Sequence, residues 1–371
     1  MSFNFDYNRI YYKVTNAEEN HRGLQYKDGL NTLLPNEKFN ENPSDSCVGN
    51  RIYFTDYKNL PKFFDFGIFI RKVRIPENAK VVKDPSGDKW GTDKIIFLEK
   101  YSIKEDFDKW FDKDEFDYKI GSEALARHCP EHFNKWFDKK RFNYEHSQAL
   151  AMYCYEYFNE WFDEKELDYE KVSYELAEYC SEHFNKWFNR EKFDYKKASD
   201  ALARNCSEHF DKWFDEEKFD YESASDTLAM YCFEHFDKWF DIEKYNYDCD
   251  WVLAIFCSEH FDKWFDKKKV NYKNLSYELA EHCSDHFDKW FDKERFDYEM
   301  ASGMLARHCS EHFDKWFDKR KYDYKDSSPE LAEYCSKHFE KWFDKTLFNF
   351  REGLSYLEDY CNEYEYIWNA M

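Results

Sequence analysis

Ser199-Asp200-Ala201-Leu202-Ala203-Arg204-Asn205-Cys206-Ser207-Glu208-His209-Phe210-Asp211-Lys212-Trp213-Phe214 returns 26 positions later as Ser225-Asp226-Thr227-Leu228-Ala229-Met230-Tyr231-Cys232-Phe233-Glu234-His235-Phe236-Asp237-Lys238-Trp239-Phe240. A Leu/Cys/Trp triplet in this phase occurs ten times, from Leu125/Cys129/Trp136 to Leu357/Cys361/Trp368, with the step shortened to 25 before Cys154 and before Cys257. Self-similarity at such a period marks a repeat architecture. Each unit reads as two short helices. Helix A carries Leu, Ala and Cys on one face, and a Ser seven residues before the Cys, present in eight repeats with Asp250 in a ninth, is expected to cap it. Ser328-Pro329 adds a Pro suited to the first helical position. Helix B places Phe184, Trp187 and Phe188 at the i, i+3, i+4 spacing of a buried stripe, with Glu182/Lys186, Glu208/Lys212 and Glu311/Lys315 as i,i+4 pairs on its wet face.

A unit this short cannot bury both stripes alone, so neighbours must stack. At roughly 8–10 Å per helix layer, ten units predict an α-solenoid on the order of 100 Å long. Phe107 and Trp110 read as a helix B without its helix A, a cap on the first unit.

Composition agrees with two regions. Residues 1–100 hold 16 Lys and Arg against 14 Asp and Glu, while the whole chain carries −22, so the acidity belongs to the remainder. Eleven of the 16 Gly and Pro also precede residue 100. The expected organisation is an N-terminal α+β domain over 1–104 and a helical repeat solenoid over 105–371. In the first, strands are expected at Arg9–Val14, Ile52–Thr55, Ile68–Ile75, Lys80–Lys83 and Lys94–Leu98, with a short helix at Tyr57–Phe66. No apolar run suffices for a membrane span, the first residues lack signal-peptide character, and the acidic balance argues against binding nucleic acid. A basic protein partner fits better.

His128-Cys129-Pro130-Glu131-His132 and His308-Cys309-Ser310-Glu311-His312 match a zinc-peptidase pattern, His-x-x-Glu-His. Other repeats put Tyr or Asn at the first His, and the turn after the Cys breaks the helix that the site requires. The Cys-x-x-His spacing, present in eight repeats, offers two ligands per unit where zinc needs four. Cys reads as small core and His as a turn residue bonding a neighbouring backbone. Stacked units hold equivalent Cys too far apart for a disulfide ladder, and twelve unpaired thiols suit a reducing compartment. No metal and no cofactor is expected.

The runs Tyr11-Tyr12-Lys13-Val14-Thr15-Asn16, His21-Arg22-Gly23-Leu24-Gln25-Tyr26-Lys27-Asp28-Gly29-Leu30-Asn31, Ile52-Tyr53-Phe54-Thr55, Arg71-Lys72-Val73, Val82-Lys83-Asp84-Pro85, Trp90 and Lys94-Ile95-Ile96 together resemble the N-terminal domain of ankyrin-repeat proteins from amoeba-infecting giant DNA viruses, the mimivirus group. The resemblance implies a viral protein made in host cytoplasm. The repeat is similar to a shortened ankyrin unit, without the Thr-Pro-Leu-His opening and the turn Gly, and about seven residues short of the usual 33.

The leading functional expectation is a non-catalytic interaction protein, monomeric, whose solenoid binds a host or viral protein. Met230, Phe233, Trp251 and Ile255 interrupt positions that are charged or small in most repeats and mark a candidate partner-binding patch; local repacking around the shortened step is the competing explanation. Two alternatives stay open. His21 and Tyr53 resemble the cofactor-holding His and Tyr of ADP-ribosyltransferases, with Glu77 or Glu99 as the acidic partner. A self-assembling structural array is the other, against which the deviant terminal units count.

Overall fold

The computed structural model describes residues 5–369. The chain forms two compact units, Met1–Phe193 and Asp194–Met371, each described by itself. Their division falls inside the repeat array, after the third repeat, whereas the change from strand to helix falls between Ser102 and Phe107.

The first unit opens with nine short strands. β1 (Tyr11–Thr15), β4 (Gly29–Thr32), β6 (Phe69–Arg74) and β9 (Lys94–Ser102) make an antiparallel sheet in the order β1-β6-β9-β4. β5 (Ile52–Phe54), β8 (Trp90–Thr92) and β7 (Val81–Lys83) make a second, and β2 (Asn20–His21) pairs with β3 (Leu24–Gln25) in a hairpin. A bridge between Tyr12 and Thr55 joins the first two sheets. Tyr11, Ile52, Phe54, Val73, Ile95 and Phe97 form the core between them. The five expected strands are present within a few residues; β2, β3, β4 and β8 are too short for a period-2 pattern to show. The expected helix is a 3-10 helix, Leu60–Phe66, with Pro61 in its first turn, where a missing N–H costs nothing. Gly67 follows because a Cβ there would lie 2.0 Å from the Thr15 carbonyl oxygen.

Helix follows strand at Phe107–Trp110, a helix B without a helix A, as the sequence predicts. Ile103 does the work of both the missing Cys and the missing Ala: its carbonyl accepts from Trp110 Nε1 at 2.9 Å and from Cys129 Sγ at 3.8 Å. Three repeats complete this unit and seven make the second. All ten Leu/Cys/Trp triplets are buried. The fold is an α-solenoid of two-helix repeats preceded by a small, strand-rich α+β domain.

Inside the repeat, three expectations change. Helix A begins four residues before the Ser, at a Tyr, as in Tyr272–His282 and Tyr298–His308, and the preceding Asp or Asn is its cap: Asp297 Oδ1 accepts from Met300 N at 3.2 Å. The Ser is buried instead and bonds in two directions. Ser276 Oγ donates to Tyr272 O at 2.6 Å and accepts from Asp297 N, in the next repeat, at 2.9 Å. Pro329 consequently lies inside the helix Tyr324–Tyr334, behind a break at Ser327 that leaves its missing N–H without consequence.

Helix B is shorter than expected, a 3-10 turn followed by a single α turn, such as Ser284–His286 and Phe287–Trp290. The Phe after each Trp is extended and closes the helix, so the buried stripe is Phe and Trp alone. The i,i+4 charge pairs give way to pairs between repeats: Lys135 reaches Asp108, Lys289 reaches Asp262 at 2.5 Å, and Lys315 reaches Asp288. A one-turn helix has its charged residues facing the next layer rather than one another.

The remaining bonds explain the invariants of the period. Each Trp Nε1 donates to the carbonyl of its own Cys, 2.8 Å for Trp290 to Cys283, and each helix A Tyr hydroxyl donates to the Trp carbonyl, 2.5 Å for Tyr272 to Trp290. Cys thiols donate to the Ala carbonyl of the preceding repeat, 3.9 Å for Cys283 to Ala254 and 3.7 Å for Cys309 to Ala280. Burial pushes these thiols up to about 12, which keeps them protonated donors.

Candidate functional site

The expected patch lies at the outer end of helix A and the turn behind it. Trp251 is 37% exposed and Phe233 42%, while Met230 and Ile255 are half-buried. The A helices of repeats five and six lie side by side. Trp251 and Ile255 are four residues apart on one helix and Met230 is the equivalent of Ile255 one repeat earlier, so these three share a helix face, while Phe233 opens the 3-10 turn after Cys232. Val252, beside them in sequence, points inward and is wholly buried.

Sequence reasoning missed the residue immediately before each Cys. In the second unit Tyr231, Phe256, Tyr334 and Tyr360 occupy it and all are exposed, Tyr231 at 45% and Phe256 at 41%. Tyr277, equivalent to Trp251 in repeat seven, is exposed as well. The signal was available in the period, because a large ring recurs at a position to which no buried stripe lays claim. The patch is therefore wider than four residues and runs from Tyr231 toward Tyr277.

The His of Cys-x-x-His does something other than the expected backbone bonding. Its ring stacks flat on the helix B Phe of the preceding repeat: His286 on Phe261 at 4.5 Å, His312 on Phe287 at 4.4 Å, His338 on Phe313 at 4.3 Å. Tyr157 and Tyr364 take the same place on Phe133 and Phe339, which is why an aromatic phenol replaces His twice. His132 also meets a backbone, its Nε2 2.8 Å from Lys104 O. Among the described residues the one group of three possible metal ligands is Glu278, Glu281 and His282, on the wet face of one helix A and without a Cys.

The N-terminal strands enclose a cavity of about 300 Å³. His21 from β2 and Tyr53 from β5 both line it, together with Lys13 and Tyr12 from β1. Glu77 and Glu99 do not. Both are exposed, and Glu99 pairs with Lys72 at 2.9 Å. The His and Tyr of the transferase resemblance thus meet in one place, and neither candidate carboxylate joins them.

No family model matches the chain, and no solved structure matches it. Curated relatives do. A protein of Acanthamoeba polyphaga mimivirus named for ankyrin repeats is 43% identical over 100 residues, which cover 26% of this chain and 49% of that protein. An uncharacterized protein of the same virus is 41% identical over 105 residues, 28% of this chain and 73% of that protein. A second protein named for ankyrin repeats is 38% identical over 95 residues, 25% of this chain and 28% of that protein. The chain spans about half the length of the first of these and 73% of the second, and it belongs to the ankyrin-repeat protein family of giant DNA viruses that includes these mimivirus proteins.

Proposed function

We propose that this chain is a non-catalytic scaffold for protein–protein interaction, made by a giant virus in the host cytoplasm and acting as a monomer, with the face around Trp251 as its docking surface for a basic protein. The observation that carries the reading is the run of exposed aromatic side chains Tyr231, Phe233, Trp251 and Phe256 in two successive repeats. Trp and Tyr anchor interfaces more often than other residues. Relatives named for ankyrin repeats support a binding role, and the charge of −22 favours a partner of opposite sign. Twelve free cysteines suit a reducing compartment.

The test is capture from infected host cells with the parent chain and with a Trp251→Ser, Ile255→Glu double variant. The variant is expected to melt with the parent and to lose the main partner, and capture by the parent is expected to weaken with added salt. Undiminished capture by a normally melting variant would falsify the assignment of the surface.

A further inference from the structure

The cavity among the N-terminal strands sits at the lower end of the range of about 300–1,000 Å³ in which small-molecule sites fall. Sixteen residues line it, Lys13, Arg22, Lys89 and His21 among them, and not one is Asp or Glu. Residues 1–100 are close to neutral, with 16 Lys and Arg against 14 Asp and Glu, so the lining concentrates positive charge within a balanced region.

Lys13 is only 7% exposed. Its ammonium donates to Tyr53 O at 3.0 Å and lies 5.1 Å from the centre of the Tyr26 ring, and among the described residues it forms no ion pair. An ammonium has three donors, and a buried one without a counter-charge is costly to keep. Burial lowers its pKa to about 8, so it remains mostly charged at neutral pH and unmatched.

The rim shows the same kind of cost. Arg22 occupies the first central position of the two-residue turn between β2 and β3 at φ +52°, backbone that a Gly or Asn usually supplies. Its guanidinium donates to Cys47 O at 3.1 Å, and Cys47 is also left-handed, at φ +52°. Strained residues of this sort persist where a site is held in shape. Tyr12, Tyr53 and Phe63 add ring surface to the walls.

We infer that this cavity is a binding site for a small phosphorylated aromatic ligand of the nucleoside monophosphate class, the ring packed on the aromatic wall and the phosphate held by Lys13 and Arg22. Phosphate suits the site because Lys13 and Arg22 both line it and neither has a carboxylate partner among the described residues, whereas Lys89 is already paired with Asp84 at 3.5 Å and Asp88 at 3.7 Å, and an Arg fork matches phosphate oxygens. This site is separate from the docking face of the repeats and stands or falls apart from it.

Calorimetric titration of the full chain with AMP, GMP, CMP and UMP, each to about 1 mM, tests it. At least one monophosphate is expected to bind saturably, its uncharged nucleoside and inorganic phosphate each about 30-fold more weakly or less, and Lys13→Met is expected to lose about 30-fold or more. Arg22→Gln, at an exposed side chain, serves as the second variant and decides the matter if Lys13→Met does not fold. No saturable binding by any monophosphate, a nucleoside or inorganic phosphate that binds as well as the nucleotide, or a variant that melts like the parent and binds equally would each overturn the proposal.

Discussion

Asp250 stands where eight repeats have Ser, and its chemistry differs from that of the Ser that bonds in two directions in full-length repeats. Its Oδ2 accepts from Asn271 N at 2.7 Å, as a Ser oxygen does in full-length repeats, but Oδ1 is buried with no partner. The longer side chain is needed because repeat six is one residue short: Ser147, in the other short repeat, makes neither bond. Burial raises the Asp250 pKa to about 6, so the folded chain prefers the protonated form. Stability from this group is greatest below the unfolded value near 4, falls as pH rises from about 4 to about 6, and is level above that. Asp250→Asn keeps the acceptor for Asn271 and removes the charge. It is expected to stabilise the chain by up to about 3 kcal/mol at pH 7.5, a gain that shrinks toward zero at pH 4, read from denaturant melts at both pH values. A gain independent of pH would show that the carboxylate is not the cause.

At the scale of the element, the first turn of helix A adapts to whatever precedes it. In the short repeats one residue is missing between Tyr and Ser or Asp, and the eleven-residue helix becomes a 3-10 turn, Tyr247–Cys249, followed by seven helical residues, Asp250–Phe256. The ring that closes each connector also sets the size of the residue opposite. A Cβ on Gly353 would come within 2.5 Å of the Phe348 ring. At the same two positions repeat seven has Val270 and Leu275, both buried, so a small connector residue goes with a large helix residue. Val270→Phe alone should overpack and cost about 1–3 kcal/mol, whereas Val270→Phe with Leu275→Ala should return close to the parent. Equilibrium unfolding of the single and double variants checks the coupling; strictly additive effects would mean that the two side chains do not meet.

Helix boundaries were the least legible feature of the sequence, for a physical reason. Ser is a good cap and so is Asp, and the run Phe-Asp-Tyr-x-x-x-Ser offers both; burial of the Ser hydroxyl against the next repeat decides between them, and that contact is not local. Likewise the Lys at helix B had a Glu four residues back and an Asp about 27 back, and only the stacking of layers makes the distant one nearer.

Across the whole molecule the period itself was enough to give the repeats and the burial of Leu, Cys and Trp. Contacts that repeat every 26 residues leave a trace in every copy, and ten copies make the trace plain. The N-terminal strands have no such redundancy. Lys13, Arg22 and Cys47 come together there through pairings among two- to five-residue strands, and nothing in their spacing announces a cavity. The exposed rings before Cys232, Cys257, Cys335 and Cys361 lay between these cases, visible in the repeat but without a buried face to explain them.

Bonds between layers recur at nearly constant offsets, 21 for the Ser oxygen and its neighbour's N–H, 28 or 29 for thiol and Ala carbonyl. A partner is thus defined by phase and not by address. Excision of residues 284–309, which joins Cys283 to Ser310, gives Cys335 the carbonyl of Ala280 in place of that of Ala306 and leaves each remaining layer a matching neighbour. The shortened chain is expected to fold, with a helical circular-dichroism spectrum of parental shape, while excision of a stretch out of phase, such as 284–296, is expected to unfold the repeats around the join. At the level of the gene, the same property makes the number of repeats a quantity that unequal recombination can raise or lower by whole units, each crossover product arriving already supplied with its full set of internal partners.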